Sequence, residues 1–200
     1  MQHSKIRQTN AERRAATRSA LLASARHLFT QKGYADTTTP EIVADAKITR
    51  GALYHHYRDK EDLFRAVTLA EFQAVAKEIE DRTAGSQSPF AALSAGAAAF
   101  IRAMQKPGRA RIMLLDGPAV LGRAEIDRMD RETSAATLRS GLQAAMDTGE
   151  IRTLPIDALT SQLSAMFDRA ALEIIDGGDA EAHLAVISEL LHALKKRPAP

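Results

Sequence analysis

Apolar residues recur at intervals of three and four along almost the whole chain, and Val, Ile and Thr never alternate with polar residues for long enough to mark a strand. The first such face is Leu21, Leu22, Ala25, Leu28 and Phe29, which predicts a helix capped by Asn10 and ended by Gly33 as a left-handed C-cap. Ile42, Val43 and Ala46 mark a short helix that Thr39 caps and Pro40 begins, because a proline in the first turn gives up no hydrogen bond. Lys47-Ile48-Thr49 then reads as a turn, with Thr49 capping a helix that ends at about His56. Asp59 caps the next start, and Asp62 stands in a capping-box-like position. Leu63, Val67, Ala70 and Ala74 carry that helix to about Thr83, where Ala84-Gly85-Ser86-Gln87-Ser88-Pro89 interrupts it.

Further helices are expected near 89–105, 108–115, 122–147, 156–176 and 180–196. Lys106-Pro107-Gly108, Asp116-Gly117-Pro118, Thr148-Gly149, Leu154-Pro155 and Gly177-Gly178 supply the breaks. The expected fold is all-α. Two seams stand out near the C-terminus. Ile156, Leu159, Leu163, Met166, Ala170 and Ile174 are spaced 3, 4, 3, 4 and 4, while Leu184, Ile187, Leu191 and Leu194 are spaced 3, 4 and 3. Such seams suit antiparallel packing in a bundle, within one chain or between two copies.

The stretch from Thr38 to Lys60 holds two short capped helices around a tight turn, which is a helix-turn-helix and points to DNA. The second helix opens with Arg50-Gly51-Ala52, where small side chains let the helix start approach a phosphate and Arg50 can reach a guanine edge. Tyr54, His55 and His56 carry donors suited to phosphate oxygens, and Lys60 adds a point charge at the same end. The candidate DNA contacts are Thr38, Thr39, Pro40, Thr49, Arg50, Gly51, Ala52, Tyr54, His55, His56, Tyr57 and Lys60. One short reader contacts few base pairs, whereas a two-fold dimer reads two half-sites; the C-terminal seams are therefore expected to join two copies on a palindromic operator.

Net charge is only +2, but it is unevenly divided. Residues 1–65 carry 12 Lys and Arg against 7 Asp and Glu, a net of +5, and residues 66–200 carry 15 against 18, a net of −3. The basic excess thus falls on the part carrying the helix-turn-helix, as phosphate binding requires. Lys5, Arg7, Arg13 and Arg14 lie in or near an N-terminal tail of about nine residues, read either as an arm into a neighbouring groove or as disordered.

Gly33-Tyr34, Thr38-Thr39, Ile42-Val43, Ile48-Thr49-Arg50-Gly51, Leu53-Tyr54-His55-His56-Tyr57 and Lys60-Glu61-Asp62-Leu63 together resemble the N-terminal signature of TetR-type transcriptional regulators. Two positions depart from it. Lys47 stands where the family usually has glycine, and Val43 where it usually has alanine; a lysine at positive φ costs of order 1 kcal/mol. The resemblance implies a three-helix, homeodomain-like DNA-binding domain over residues 1–58 and a helical effector-binding and dimerisation domain over 59–200. It also implies a homodimeric, ligand-responsive repressor, with the last two helices of each subunit forming an intersubunit bundle. The alternative is a DNA-binding structural factor, or one controlled by a protein partner, without a small-molecule effector.

The resemblance further implies a cavity among the middle helices for a small, largely apolar effector. Phe72, Phe100, Met104, Leu114, Met129, Leu138, Met166 and Phe167 are the apolar candidates for its lining, with Asp116, Arg139, Asp168 and Arg169 as polar contacts. The segment Leu114 to Gly122 also looks like one found in some TetR-type C-terminal regions. Asp168 and Arg169 read as a solvated or interface ion pair, and Asp127, Arg128, Asp130 and Arg131 as a solvated helix face.

Enzyme chemistry finds little support. His55 and His56 are adjacent and point about 100° apart on a helix, and the chain has no His-Glu-x-x-His, no glycine-rich phosphate loop and no cysteine. No cofactor or metal is expected. The apolar stretches are too short to span a bilayer and Met1 to Asn10 has no signal-peptide core, so the expected setting is cytoplasmic, away from membranes.

Overall fold

The computed structural model describes residues 9–196; Lys5 and Arg7, expected in a groove-reaching tail, lie outside them. The described residues form an all-α fold of ten α-helices and one π-helical stretch, with no strand. Two compact units divide between Val67 and Thr68.

In the first unit, α1 (Asn10–Asp36), α2 (Thr39–Asp45), α3 (Arg50–His56) and the start of α4 (Lys60–Thr83) enclose Leu21, Phe29, Ile42, Leu53, Leu63 and Phe64. The Phe64 ring meets Phe29 edge-on at 5.1 Å and packs on Tyr34 at 4.9 Å, which anchors α4 beneath α1. The caps shift by one residue from expectation. Thr9, not Asn10, caps α1, and Thr38, not Thr39, caps α2. In both cases a glutamate three residues on, Glu12 or Glu41, completes a capping box that the alternative cap would leave unpaired. Gly33 does not end α1 in the left-handed conformation; at φ 81° and ψ 173° it kinks the chain, and helical turns resume to Asp36.

The second unit is organised around α5 (Pro89–Met104), whose buried residues include Phe90, Leu93, Ala97, Phe100, Ile101 and Met104. It packs against α8 (Ser134–Asp147), α9 (Ile156–Ile175) and α10 (Ala180–His192). Ser88 caps α5, and Glu150, from the turn after α8, accepts both the Ser88 hydroxyl at 2.8 Å and the Phe90 amide at 3.2 Å. Those bonds hold Glu150 below the usual carboxylate range.

Two expected helix ends differ. Asp116-Gly117-Pro118 does not break the chain; a π-helical stretch, Arg111–Asp116, runs directly into α6 (Gly117–Leu121). The Gly117 amide reaches back to the Ile112 carbonyl, and a Cβ at Gly117 would stand 2.8 Å from that oxygen, so glycine is what permits the wider turn. Conversely, the single helix expected over 122–147 is two, α7 (Arg123–Arg131) and α8. Thr133 leaves helical backbone at φ −133° and ψ −98°, and its hydroxyl donates to the Met129 carbonyl at 2.6 Å, a side-chain bond that competes with the helical ladder.

Candidate DNA-reading surface and effector cavity

The Thr49 hydroxyl accepts the Ala52 amide at 3.2 Å, fixing where α3 starts, and the buried Leu53 pins its inner face. The outer face is left open. Arg50, Gly51, Tyr54 and His55 are exposed, and a Cβ at Gly51 would meet nothing within 4 Å. The Arg50 guanidinium lies 5.5 Å from the centre of the Tyr54 ring, which limits the positions it samples. Thr38, which caps α2, and Pro40, in its first turn, are exposed, while Thr39 and Ala52 are half-buried. His56 is half-buried as well; burial, then His55, Arg14 and Arg18, push its pKa down and favour the neutral ring.

Two expected phosphate contacts turn inward. The Lys60 ammonium donates to the carbonyls of Tyr34 and Thr37, both at 2.9 Å, and sits 4.1 Å from the Tyr34 ring centre. It closes the C-terminal end of α1, because a cation there satisfies carbonyls that helical bonding leaves over. Tyr57 is buried, with its hydroxyl accepting the Arg18 guanidinium at 3.3 Å.

In the second unit a cavity of about 550 Å³ opens between α4, α5, α8, the end of α7 and the middle of α9. Of the residues expected to line it, Phe100, Leu138 and Phe167 do. The two phenyl rings stand 5.7 Å apart at one wall. Phe72, Met104 and Met129 belong to the solid core. Leu114 packs on that core from outside the cavity, Asp116 pairs with Arg111 at 3.4 Å, and exposed Arg139 pairs with Asp157 at 3.1 Å.

Asp168 and Arg169 do not pair. Adjacent residues on a helix diverge, so Arg169 pairs with Glu173 at 2.6 Å while Asp168 lies near Asp130. Burial, then the Asp130 charge, push the Asp168 carboxyl up to about 7. Asp130, read from sequence as part of a solvated face, instead borders the cavity and accepts the Ser164 hydroxyl at 2.8 Å; burial raises its pKa too. The missed signal is the helix break itself. An Asp followed by Thr133-Ser134 is the composition of a helix start, and the Ala135 amide at the head of α8 does act on Asp130, lowering its pKa against the effect of burial.

The seam residues Leu163, Ala170, Ile187 and Leu191 are buried in the chain's own core, whereas Ile156, Leu159, Met166, Ile174, Leu184 and Leu194 are half-buried at its edge. The open side of α9 and α10 carries Met166, Arg169, Glu173, Val186 and Leu190 around a shallow groove. Val186 and Leu190 are 59% and 47% exposed.

Comparisons with known proteins agree with this geometry. Residues 21–67 match the family described as "Bacterial regulatory proteins, tetR family", and residues 90–197, over half of the chain, match "Tetracyclin repressor-like, C-terminal domain". The chain belongs to the TetR family of transcriptional regulators. It is 42% identical over 62 residues to the transcriptional repressor BepR of Brucella suis, a match spanning 31% of this chain and 29% of that protein. It is 25% identical over 191 residues to the repressor AcnR of Corynebacterium glutamicum, spanning 90% and 94% of the two chains. The crystal structure of a TetR-family regulator from Pectobacterium atrosepticum superposes with a TM-score of 0.78 at 30% identity, covering 96% of this chain and all of the other. Among the described residues no helix is long and apolar enough to cross a membrane.

Proposed function

We propose that this regulator is a cytoplasmic, ligand-responsive repressor that binds a palindromic operator as a homodimer. The observation that carries the reading is α3, a helix capped by Thr49 that presents Arg50, Gly51, Tyr54 and His55 together on an open face. Arg50 reads a base edge, and the α3 amides, Thr38, Thr39, Pro40, Ala52, Tyr54, His55 and His56 engage the phosphates. Lys60 and Tyr57 contribute from behind by holding α1 against α3 and α4.

Dimerisation uses the open side of α9 and α10, and the edge of their seams, so that two readers address two half-sites. The cavity takes the effector, whose binding favours a body conformation in which the readers no longer match the half-site spacing. Displacing the protein from its operator then frees polymerase.

Selection of bound duplexes from a random pool tests the core of this reading. A two-fold symmetric consensus is expected, and Arg50→Ala should relax base preference at one position per half-site, at a cost of about 1–3 kcal/mol. An asymmetric consensus removes the dimeric reading, and an Arg50→Ala protein with parental preference removes Arg50 from base recognition.

A further inference from the structure

The polar residues of the cavity are not neutral on balance. Its charged lining is Glu80, Asp130 and Glu132 against one cation, Lys77. Lys77 is already hydrogen-bonded to Asp81 at 2.9 Å, and Glu132 to Arg128 at 3.2 Å. Asp130 makes no ion pair among the described residues; it accepts the Ser164 hydroxyl from α9, and the Ala135 amide of α8 acts on it to lower its pKa. A carboxylate has about four lone-pair sites, so these contacts leave acceptor capacity unused.

Asp168 lies close enough to Asp130 to feel its charge, and Asp127 of α7, itself paired with Arg123 at 3.9 Å, adds to the negative field. The cations that face the pair, Arg123 and Arg131, act on it without ion-pairing and are both exposed. The wall of the cavity adds a further feature. Phe100 and Phe167 offer aromatic surface at the same cavity.

We propose that the effector is an organic cation, an amine or ammonium compound with an apolar aromatic body, whose charge is held by Asp130 with Asp168 near it and whose body lies on Phe100 and Phe167. This deepens, and rests on, the reading of the cavity as the effector site. Two carboxylates close together and away from water repel one another, and a cation between their field and the aromatic wall relieves that repulsion. Binding of the cation favours the ionised pair, so it expels a proton where the empty site holds one. Affinity for the cation therefore falls as pH drops below about 7, the value to which the Asp168 carboxyl is pushed.

The test uses the full-length protein and three matched probes, 4-phenylbutylamine, 4-phenylbutan-1-ol and 4-phenylbutyrate, titrated calorimetrically at pH 8 and pH 6. The amine is expected to bind about tenfold more tightly than the alcohol at pH 8, with the carboxylate weakest, and to lose most of that advantage at pH 6. Asp130→Asn should bring the amine down to the alcohol. Because Asp130 also accepts the Ser164 hydroxyl of α9, the ranking of the three probes on the parent protein stands as a test independent of that variant. Equal binding of amine and alcohol, tighter binding of the carboxylate, or no binding of any probe at millimolar concentration overturns the proposal.

Release of operator DNA is read separately. If the alcohol or carboxylate releases DNA and the amine does not, the cationic class fails while ligand control survives. If the amine binds as expected without releasing DNA, the cation site stands and the effector role fails.

Discussion

Lys47 holds φ at +54°, and it is the only non-glycine with positive φ among the described residues. Its Cβ crowds the following carbonyl there, so Lys47→Gly should raise stability by about 0.5–1 kcal/mol in urea unfolding. A loss of stability would mean that the lysine side chain, exposed as it is, contributes more than its backbone costs. The departure was visible in the sequence because a turn between two capped helices leaves one residue to make the reversal. Asp168 shows the opposite case. Its carboxyl is pushed from the ordinary 3.8 to about 7, so the folded protein binds a proton that the unfolded chain releases. The stability this favours is present below the ordinary value and is lost as pH rises towards 7. Asp168→Asn should therefore raise the unfolding midpoint at pH 8, with the gain shrinking towards zero near pH 4. A gain independent of pH would rule out the titration as its source.

Among the elements, α3 depends most on a single local bond. Thr49→Ala removes the hydroxyl that accepts the Ala52 amide and should cost about 1 kcal/mol, with weaker operator binding because the start of the reader frays. Unchanged stability would assign that amide to water. Local bonds of this kind span three residues, and for that reason the helices of the first unit were legible to within a residue at their starts. The second unit was read less well. Glu150 caps α5 from 60 residues away, and no spacing rule encodes such a partner. The same holds for Arg109, 4% exposed, which donates to Glu71 at 2.7 Å and to the Ala103 carbonyl at 3.0 Å, locking α4 to the turn after α5. A buried charge survives only when paired, and its partner here lies 38 residues upstream.

For the whole molecule, the consequence concerns assembly. With Leu163, Ala170, Ile187 and Leu191 spent on the chain's own core, the proposed dimer rests on Met166, Val186 and Leu190. Light scattering should give twice the 21.7 kDa chain mass, and Leu190→Asp should shift the protein towards monomer and weaken operator binding. A parental dimer in that variant would move the interface off this face. Hydrophobic periodicity determined that the chain is all-α and that α9 and α10 have apolar faces, because period and capping are properties of neighbours in sequence. It could not decide which apolar stripe faces inward, that Lys60 turns back to the end of α1, or that Asp130 borders a cavity with Asp168 buried near it. Those outcomes depend on how helices distant in sequence pack, and only the tertiary structure brings their side chains within bonding and desolvating range of one another.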